Sequence, residues 1–274
     1  IHTTFQNLVT ATGRLSSTEP NLQNIPVRTD LGAEIRKMFI PKPGHVLVDA
    51  DYSQIELRVL AHIADDPVMR DAFVRNLDVH TVTASQVFGV PVQEVTALQR
   101  RHAKAVNFGI VYGISEFSLA EDIGVSRYEA KAYIDHYLSN YAGVRDYMKR
   151  VVEDARAQGY TQTIYGRRRY VPELKSANFN VRQGAERITL NTPIQGTAAD
   201  LIKLAMIRVD RALEKNFPQA KLILQVHDEL IVECPEEIAP QVAELVSLEM
   251  EQVASLAVPL LAEAKWGKSW FDAK

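Results

Sequence analysis

The sequence predicts an α+β fold: an antiparallel sheet covered by helices, carrying a large, mostly helical insertion. Three observations support this. The apolar stretch HVLVDA reads as a strand over residues 45–50 and delivers a carboxylate, Asp51, at its C-terminal end. From residue 187 onward the pattern is helix, strand (KLILQV), strand (ELIVEC), helix and strand (VPLLAEAKW). Between the two regions, residues 58–186 show mainly helical periodicity. Counted from the strand at 45–50, the order is β, α, β, β, α, β, the split βαβ or ferredoxin-like arrangement. The first strand is then expected beside the strand that follows the first helix, which brings Asp51 toward Asp228.

Taken in order, residues 1–36 are polar and turn-rich, with Gly13, Pro20 and Pro26 in TATGRLSSTEPNLQNIPVR. Loops of this kind also carry function. Arg14, Gln23, Asn24 and Arg28 are its donors suited to a nucleic-acid backbone or minor groove. After the strand, Ser53 opens a helix with Ile55, Val59 and Ile63 on one face, and Ser53-x-x-Glu56 reads as a capping box. Asp66 and Pro67 open the next helix, and Gly89 stops the one after it. Two amphipathic helices follow residue 126, broken near Ala142 and Gly143. A hairpin, Thr161–Ile164 with Arg168–Val171, turns at Tyr165-Gly166. The helix from Thr197 to Leu213 starts with a second apparent box, Thr197-x-x-Asp200.

Composition excludes several classes. The 274 residues are 46% hydrophobic and 24% charged, ordinary globular usage. The single cysteine, Cys234, rules out an intramolecular disulfide and any cysteine-rich zinc site. No apolar run is long enough for a membrane span and no signal peptide is visible, so an intracellular, reduced setting is expected. The opening Ile1, in Thr- and Gln-rich sequence, suggests a fragment or a processed product. Net charge is −3, yet basic residues cluster at Arg100, Arg101, His102 and Lys104, at Arg167–Arg169, and at Arg182 and Arg187. Phosphate binding and ordinary solvated helix faces both account for such clusters.

Three constellations bear chemistry. In QVHDEL, Asp228 and Glu229 sit at the tip of a hairpin whose Leu222, Leu224, Val226, Leu230 and Val232 are expected to share one face. Asp favours turns for local reasons. Beside Asp51, however, Asp228 would be repelled unless a cation intervened. Mg²⁺ suits such a site, binding through one or two carboxylates plus substrate phosphates. In RRHAKAVNFGIVYG, Arg100, Lys104, Phe108 and Tyr112 recur every four residues, a row on one helix side rising roughly 18 Å. Its cations suit a triphosphate and its aromatics a sugar and base. Gly109 and Gly113 would leave one face open to a flat group. In ERITLNTPIQG, Arg187, Asn191 and Gln195 repeat the four-residue spacing, with Pro193 expected to bend the segment.

These stretches together resemble a known family. DYSQIELR, RRHAKAVNFGIVYG and QVHDEL, in this order and spacing, look like motifs A, B and C of the family A DNA polymerases, of the bacterial DNA polymerase I type. TATGRLSSTEPNLQNIPVR and NTPIQGTAADLIK match the same pattern, so the resemblance covers essentially the whole chain.

The resemblance implies a palm, residues 1–57 and 187–274, and fingers, residues 58–186. It implies template-directed addition of deoxynucleoside triphosphates to a primer 3′ end with two Mg²⁺ ions, replaceable by Mn²⁺. Asp51, Asp228 and the Tyr52 carbonyl would bind metal, with Glu229 supporting. Lys104, Arg100 and His80 would hold the triphosphate, Lys104 with a catalytic part. Phe108 would face the sugar, Tyr112 the templating position, and Glu56, with Gln54 near it, would exclude a 2′-hydroxyl. Arg14, Gln23, Asn24, Arg28, Arg187, Asn191, Gln195 and His227 would contact primer-template DNA.

A monomer in the bacterial cytoplasm, associated with the nucleoid, is implied as well. The family's thumb and proofreading domain precede its motif that begins here at His2, so both are expected outside this sequence. Two rivals stand beside this reading. One is a single-subunit RNA polymerase relative, which Glu56 and Phe108 argue against; the other is a catalytically weak nucleic-acid-binding fragment.

Overall fold

The computed structural model describes residues 1–26 and 30–274, with the side chains of 30, 31 and 33 excepted. Arg28, one of the expected DNA contacts, lies outside the described residues. In chain order the first elements are β1 (Thr4–Gln6), β2 (Ser16–Thr18), α1 (Asp30–Lys37), β3 (His45–Tyr52) and α2 (Ile55–Ala64). Then come α3 (Pro67–Val74), α4 (Val79–Phe88), α5 (Ala97–Val111), α6 (Glu116–Ile123), α7 (Arg127–Asn140) and α8 (Ala142–Gln158). The last are β4 (Tyr160–Gln162), β5 (Arg168–Tyr170), α9 (Phe179–Asn216), β6 (Lys221–Val226), β7 (Glu229–Pro235), α10 (Ala239–Glu251) and β8 (Ala262–Gly267).

The chain forms two compact units. The first comprises residues 1–55, 198–255 and 260–274; the second comprises 56–197 and 256–259.

The first unit is built on a four-stranded antiparallel sheet of order β6-β7-β3-β8. This differs from the expected pairing, because β3 lies beside β7, the second hairpin strand, rather than beside β6. The register Asp51↔Glu229 still sets Asp228 next to the end of β3, where the Tyr52 N–H donates to the Asp228 carbonyl at 3.2 Å. Period-2 alternation divides the faces of β3. Val46, Val48, Ala50 and Tyr52 point one way and are buried. α10 packs against β3, β7 and β8, and the Tyr52 hydroxyl donates to the Met250 carbonyl at 2.7 Å. On the opposite face, Leu47 joins Val226, Ile231, Trp270 and Ala273 in a core cluster that also takes Leu224.

Leu222, Leu224, Val226, Leu230 and Val232 do not form one row. A register shift between Leu222 and Leu224 pairs Leu222 with Val232 but Leu224 with Ile231. The extra residue switches which side chains face the cluster. Leu224 and Val226 therefore pack with Ile231, whereas Leu222 stays on the side of Val232.

The second unit is helical, and its boundaries follow local chemistry. Asp66 caps α3, accepting from the Val68 and Met69 N–H groups at 3.1 and 3.0 Å, and Pro67 takes the first helical position. α4 ends at Gly89 with φ 65°, a left-handed cap that glycine adopts without strain. α5 starts with a reciprocal box between Thr96 and Gln99, and α7 with one between Ser126 and Glu129. Each such cap contributes about 1 kcal/mol. Among these helices α4 packs on both α5 and α7, and α6 packs on α7.

α2 begins at Ile55, with Gln54 before it at φ 55°. The second box anticipated, Thr197-x-x-Asp200, is absent for a physical reason. Thr197 lies inside α9, where its hydroxyl accepts from the Ile164 N–H at 3.2 Å. Pro193 is likewise interior to α9. Proline leaves the carbonyl four residues back without its usual donor. That carbonyl, of Thr189, accepts instead from the Thr161 hydroxyl at 3.4 Å. The helix therefore runs on past the expected break, and the anticipated 186/187 boundary falls within it.

Candidate active site

In the first unit, carboxylates gather at one end of the sheet. Asp49 and Asp51 lie two apart on β3 and so share a face, and Glu229 is opposite Asp51. Asp228 occupies the tight turn before β7, entered through His227 at φ 53°. Burial, reinforced by the neighbouring Asp228, pushes the Asp51 carboxyl up to about 7. Burial also raises Asp228 and Asp49, the latter against the opposing charges of Lys274 and Arg36 and a hydrogen bond from Trp270. Asp51 Oδ1 is buried with no hydrogen-bond partner.

Cations partly offset this cluster. Lys274 Nζ pairs with Glu229, and Arg36 sits 4.0 Å from Glu229 while stacking 4.2 Å over the Trp270 ring. The Trp270 indole donates to Asp49 at 3.3 Å. None of Asp49, Arg36, Trp270 and Lys274 was marked out in the sequence. Only Asp49 left a signal there, its two-residue offset from Asp51. Arg14 lies close enough to oppose the burial-driven rise at Asp228, and with Gln23, Gln225 and His227 it lines one small hollow. Gln23 is fixed by donating to Gln225 Oε1 at 3.0 Å, whereas Asn24 is exposed.

The second unit groups most of the other expected residues. On α5, Lys104 Nζ lies 6.0 Å from the Phe108 ring centre, and the His80 ring lies 5.8 Å from Phe108. Arg100 is held by Asp78, with contacts of 2.6 and 3.2 Å. Burial opposes ionisation of Asp78, but the hydrogen bonds from Arg100 and Thr81 prevail and hold its pKa down at about 2. Burial brings the His80 pKa down to about 4, helped by the charges of Arg100 and Lys104. Tyr112 donates to the buried Glu56 carboxylate at 2.8 Å.

Gly109 in α5 and Gly113 just past its end do not leave an open face. A Cβ on Gly109 would stand 2.6 Å from Ile114 Cγ2, and one on Gly113, at φ 65°, 3.0 Å from Arg187 Cγ. The missing side chain of Gly109 makes room for Ile114, and Gly113 supplies the left-handed residue after the helix, close to Arg187. Arg187, Asn191 and Gln195 follow one another along α9, Arg187 exposed and the other two half-buried.

The donor set of the first unit is entirely oxygen. Its orphaned Asp51 oxygen beside a second carboxylate fits a hard divalent cation that completes its shell from a substrate. Among the described residues no group of three or more His, Cys, Asp or Glu side chains converges to hold a metal unaided.

The model of DNA polymerase family A matches residues 1–272. This chain is a member of that family. It is 53% identical to DNA polymerase I of Caldicellulosiruptor bescii over 274 residues, all of this chain and 32% of the relative. Against DNA polymerase I of Pseudomonas aeruginosa it is 52% identical, again over the whole chain and 30% of the relative. The chain thus spans about a third of the length of these family A relatives. A solved structure, the POL domain of Pol1 from M. smegmatis in complex with DNA primer-template and dNTP, superposes with a TM-score of 0.95. It is 48% identical, and the match covers all of this chain and 48% of that one. No helix among the described residues is long and apolar enough to cross a membrane.

Proposed function

We propose that this chain is the core of a template-directed DNA polymerase, adding deoxynucleoside triphosphates to a primer 3′ end. The observation that carries the reading is the pair Asp51 and Asp228. They are two half-buried carboxylates, Asp228 being tied by its backbone carbonyl to the Tyr52 N–H next to Asp51, with an orphaned oxygen that calls for a cation. The complex of the M. smegmatis relative, which contains primer-template and dNTP, supports the same substrates here.

In this reading the first unit is the palm, and the order β6-β7-β3-β8, in which the first strand of the motif lies beside the third and fourth rather than the second, supports the split βαβ, ferredoxin-like form. The second unit is the fingers. Asp51, Asp228 and the Tyr52 carbonyl would hold Mg²⁺, or Mn²⁺ in its place, with Glu229 supporting them. When bound, a pair of such ions supplies charge stabilisation at the attacking and leaving oxygens.

The chain's own residues do the positioning. Lys104, Arg100 and His80 take the triphosphate, and the exposed Lys104 meets the charge that develops on the leaving group. Phe108 packs against the sugar. Glu56, anchored by Tyr112, closes the space a 2′-hydroxyl needs, with Gln54 next to it in the chain. Arg14, Gln23, Asn24, His227, Arg187, Asn191 and Gln195 contact the primer-template, most of them as sequence-independent donors. A monomer acting in the bacterial cytoplasm on nucleoid DNA completes the reading.

The test is primer extension with and without Mg²⁺, beside a gel shift in EDTA. Mg²⁺-dependent extension is expected. A chain that shifts DNA yet never extends a primer would instead be a nucleic-acid-binding fragment of a longer enzyme. Preference for ribonucleotides would favour the RNA polymerase rival.

A further inference from the structure

A buried polar chain lies behind the phosphate-facing side of the second unit. Asn107, immediately before Phe108 on α5, is fully buried. Its Nδ2 stands 3.0 Å from His80 Nδ1 and 3.1 Å from Thr83 Oγ1. Thr83 Oγ1 also reaches Asn107 Oδ1 at 3.2 Å and the Tyr141 hydroxyl at 3.0 Å. Thr83 and Tyr141 are themselves buried, so the Asn107 amide finds its partners inside the protein.

An amide nitrogen has hydrogens to give and no lone pair to offer. Facing it, His80 Nδ1 must accept, and in a neutral imidazole the single proton then resides on Nε2. The ring is neutral at pH 7, since burial keeps its pKa at about 4.

We propose that Asn107 is a positioning residue that holds His80 in the Nε2–H tautomer and fixes its ring, so that Nε2 donates to the phosphate oxygens of an incoming nucleoside triphosphate. Arg100 and Lys104 already supply charge nearby. A neutral, directed donor adds geometry without a third cation, and Thr83 and Tyr141 keep the amide from rotating. This rests on the reading of His80 as a triphosphate contact, but the tautomer itself does not.

Two measurements separate these claims. In ¹⁵N spectra of the histidine-labelled chain at pH 7, His80 is expected to be protonated on Nε2, with Nδ1 a hydrogen-bonded acceptor. A proton on Nδ1 would overturn the assignment, whatever the chain's activity. Adding inorganic tripolyphosphate should shift the Nε2 resonance. An unmoved Nε2 with the tautomer as stated would remove phosphate as its target.

In primer extension, Asn107→Leu should raise the dNTP KM roughly five- to tenfold, the loss of one positioned hydrogen bond, while kcat changes less than about twofold. Asn107→Ser, smaller and still polar, serves if the leucine variant folds poorly. In a His80→Ala background the same substitution should leave KM within about twofold, because Asn107 acts only through the imidazole. Equal fold-losses in both backgrounds would show a packing role and sink the proposal.

Discussion

The Tyr112 hydroxyl donates a 2.8 Å hydrogen bond to the carboxylate of Glu56, tying the C-terminal end of α5 to the first turn of α2. Glu56 is buried, so its carboxylate is held in one place by that bond and by packing rather than left to sample rotamers.

A fixed carboxylate makes a sharper steric filter than a mobile one. Glu56→Ala should raise ribonucleotide incorporation relative to deoxynucleotide by at least about tenfold, the effect of roughly 1.4 kcal/mol of lost discrimination. Tyr112→Phe, which frees the carboxylate without removing it, should move the ratio the same way but less. Competition assays with paired nucleotides read both, and an unchanged ratio in Glu56→Ala would leave Glu56 as a purely structural residue.

Asp228→Asn keeps the size of the side chain and discards its charge. Extension should fall by at least about a hundredfold while duplex binding stays near the native value, because in the proposed role the carboxylate serves a cation rather than DNA. Single-turnover rates at saturating Mg²⁺ decide this. Near-native turnover there would remove Asp228 from the metal site.

Stability should depend on pH through the acidic cluster. Asp51 is raised from 3.8 to about 7 in the folded chain, so between those values the native state binds more protons than the unfolded state. Stability therefore falls as pH rises through this window and levels off above about 7, the raised Asp228 and Asp49 acting in the same direction. Thermal melts in EDTA from pH 4 to 8 should show the decline. Asp51→Asn should flatten it, and so should excess Mg²⁺. A metal-free melting temperature that rises across this range would contradict the placement of Asp51.

Gly109→Ala tests packing alone. The new Cβ would sit 2.6 Å from Ile114 Cγ2, so Ile114 or the backbone must yield. The substitution should destabilise the fold by about 1–3 kcal/mol despite alanine's better helix propensity. Ile114→Ala in the same chain should recover part of that loss in urea titrations. A stabilised single variant would mean that α5 and the following turn are looser than drawn.

What the sequence made legible was whatever depends on neighbours along the chain. The strand ending at Asp51, the turn at His227–Asp228, the Asp66 cap and the Gly89 stop all follow from local periodicity and turn chemistry. Long-range features were less accessible. Nothing local announces the register shift beside Ile223, and it reassigns the faces of β6. Nor does anything local place Lys274, Arg36 and Trp270 around Asp49 and Glu229, since tertiary folding alone brings them there. Thr197-x-x-Asp200 has the letters of a helix start, yet it lies inside α9 because the carbonyl released by Pro193 finds Thr161. Gly109 and Gly113 were visible, but the side chain each makes room for, Ile114 or Arg187, was not.

The left-handed backbone at Gln54 and His227 has a consequence for anyone evolving this chain. Both residues carry a Cβ where glycine or asparagine would sit more comfortably; Gln54 follows the strand that bears Asp51, and His227 directly precedes Asp228, the two carboxylates of the proposed metal site. Directed evolution for heat resistance alone should therefore enrich Gly or Asn at 54 and 227, each worth roughly 1 kcal/mol. Survivors of such a screen would be sturdier proteins and poorer catalysts, so a library held to both criteria should leave these two positions fixed.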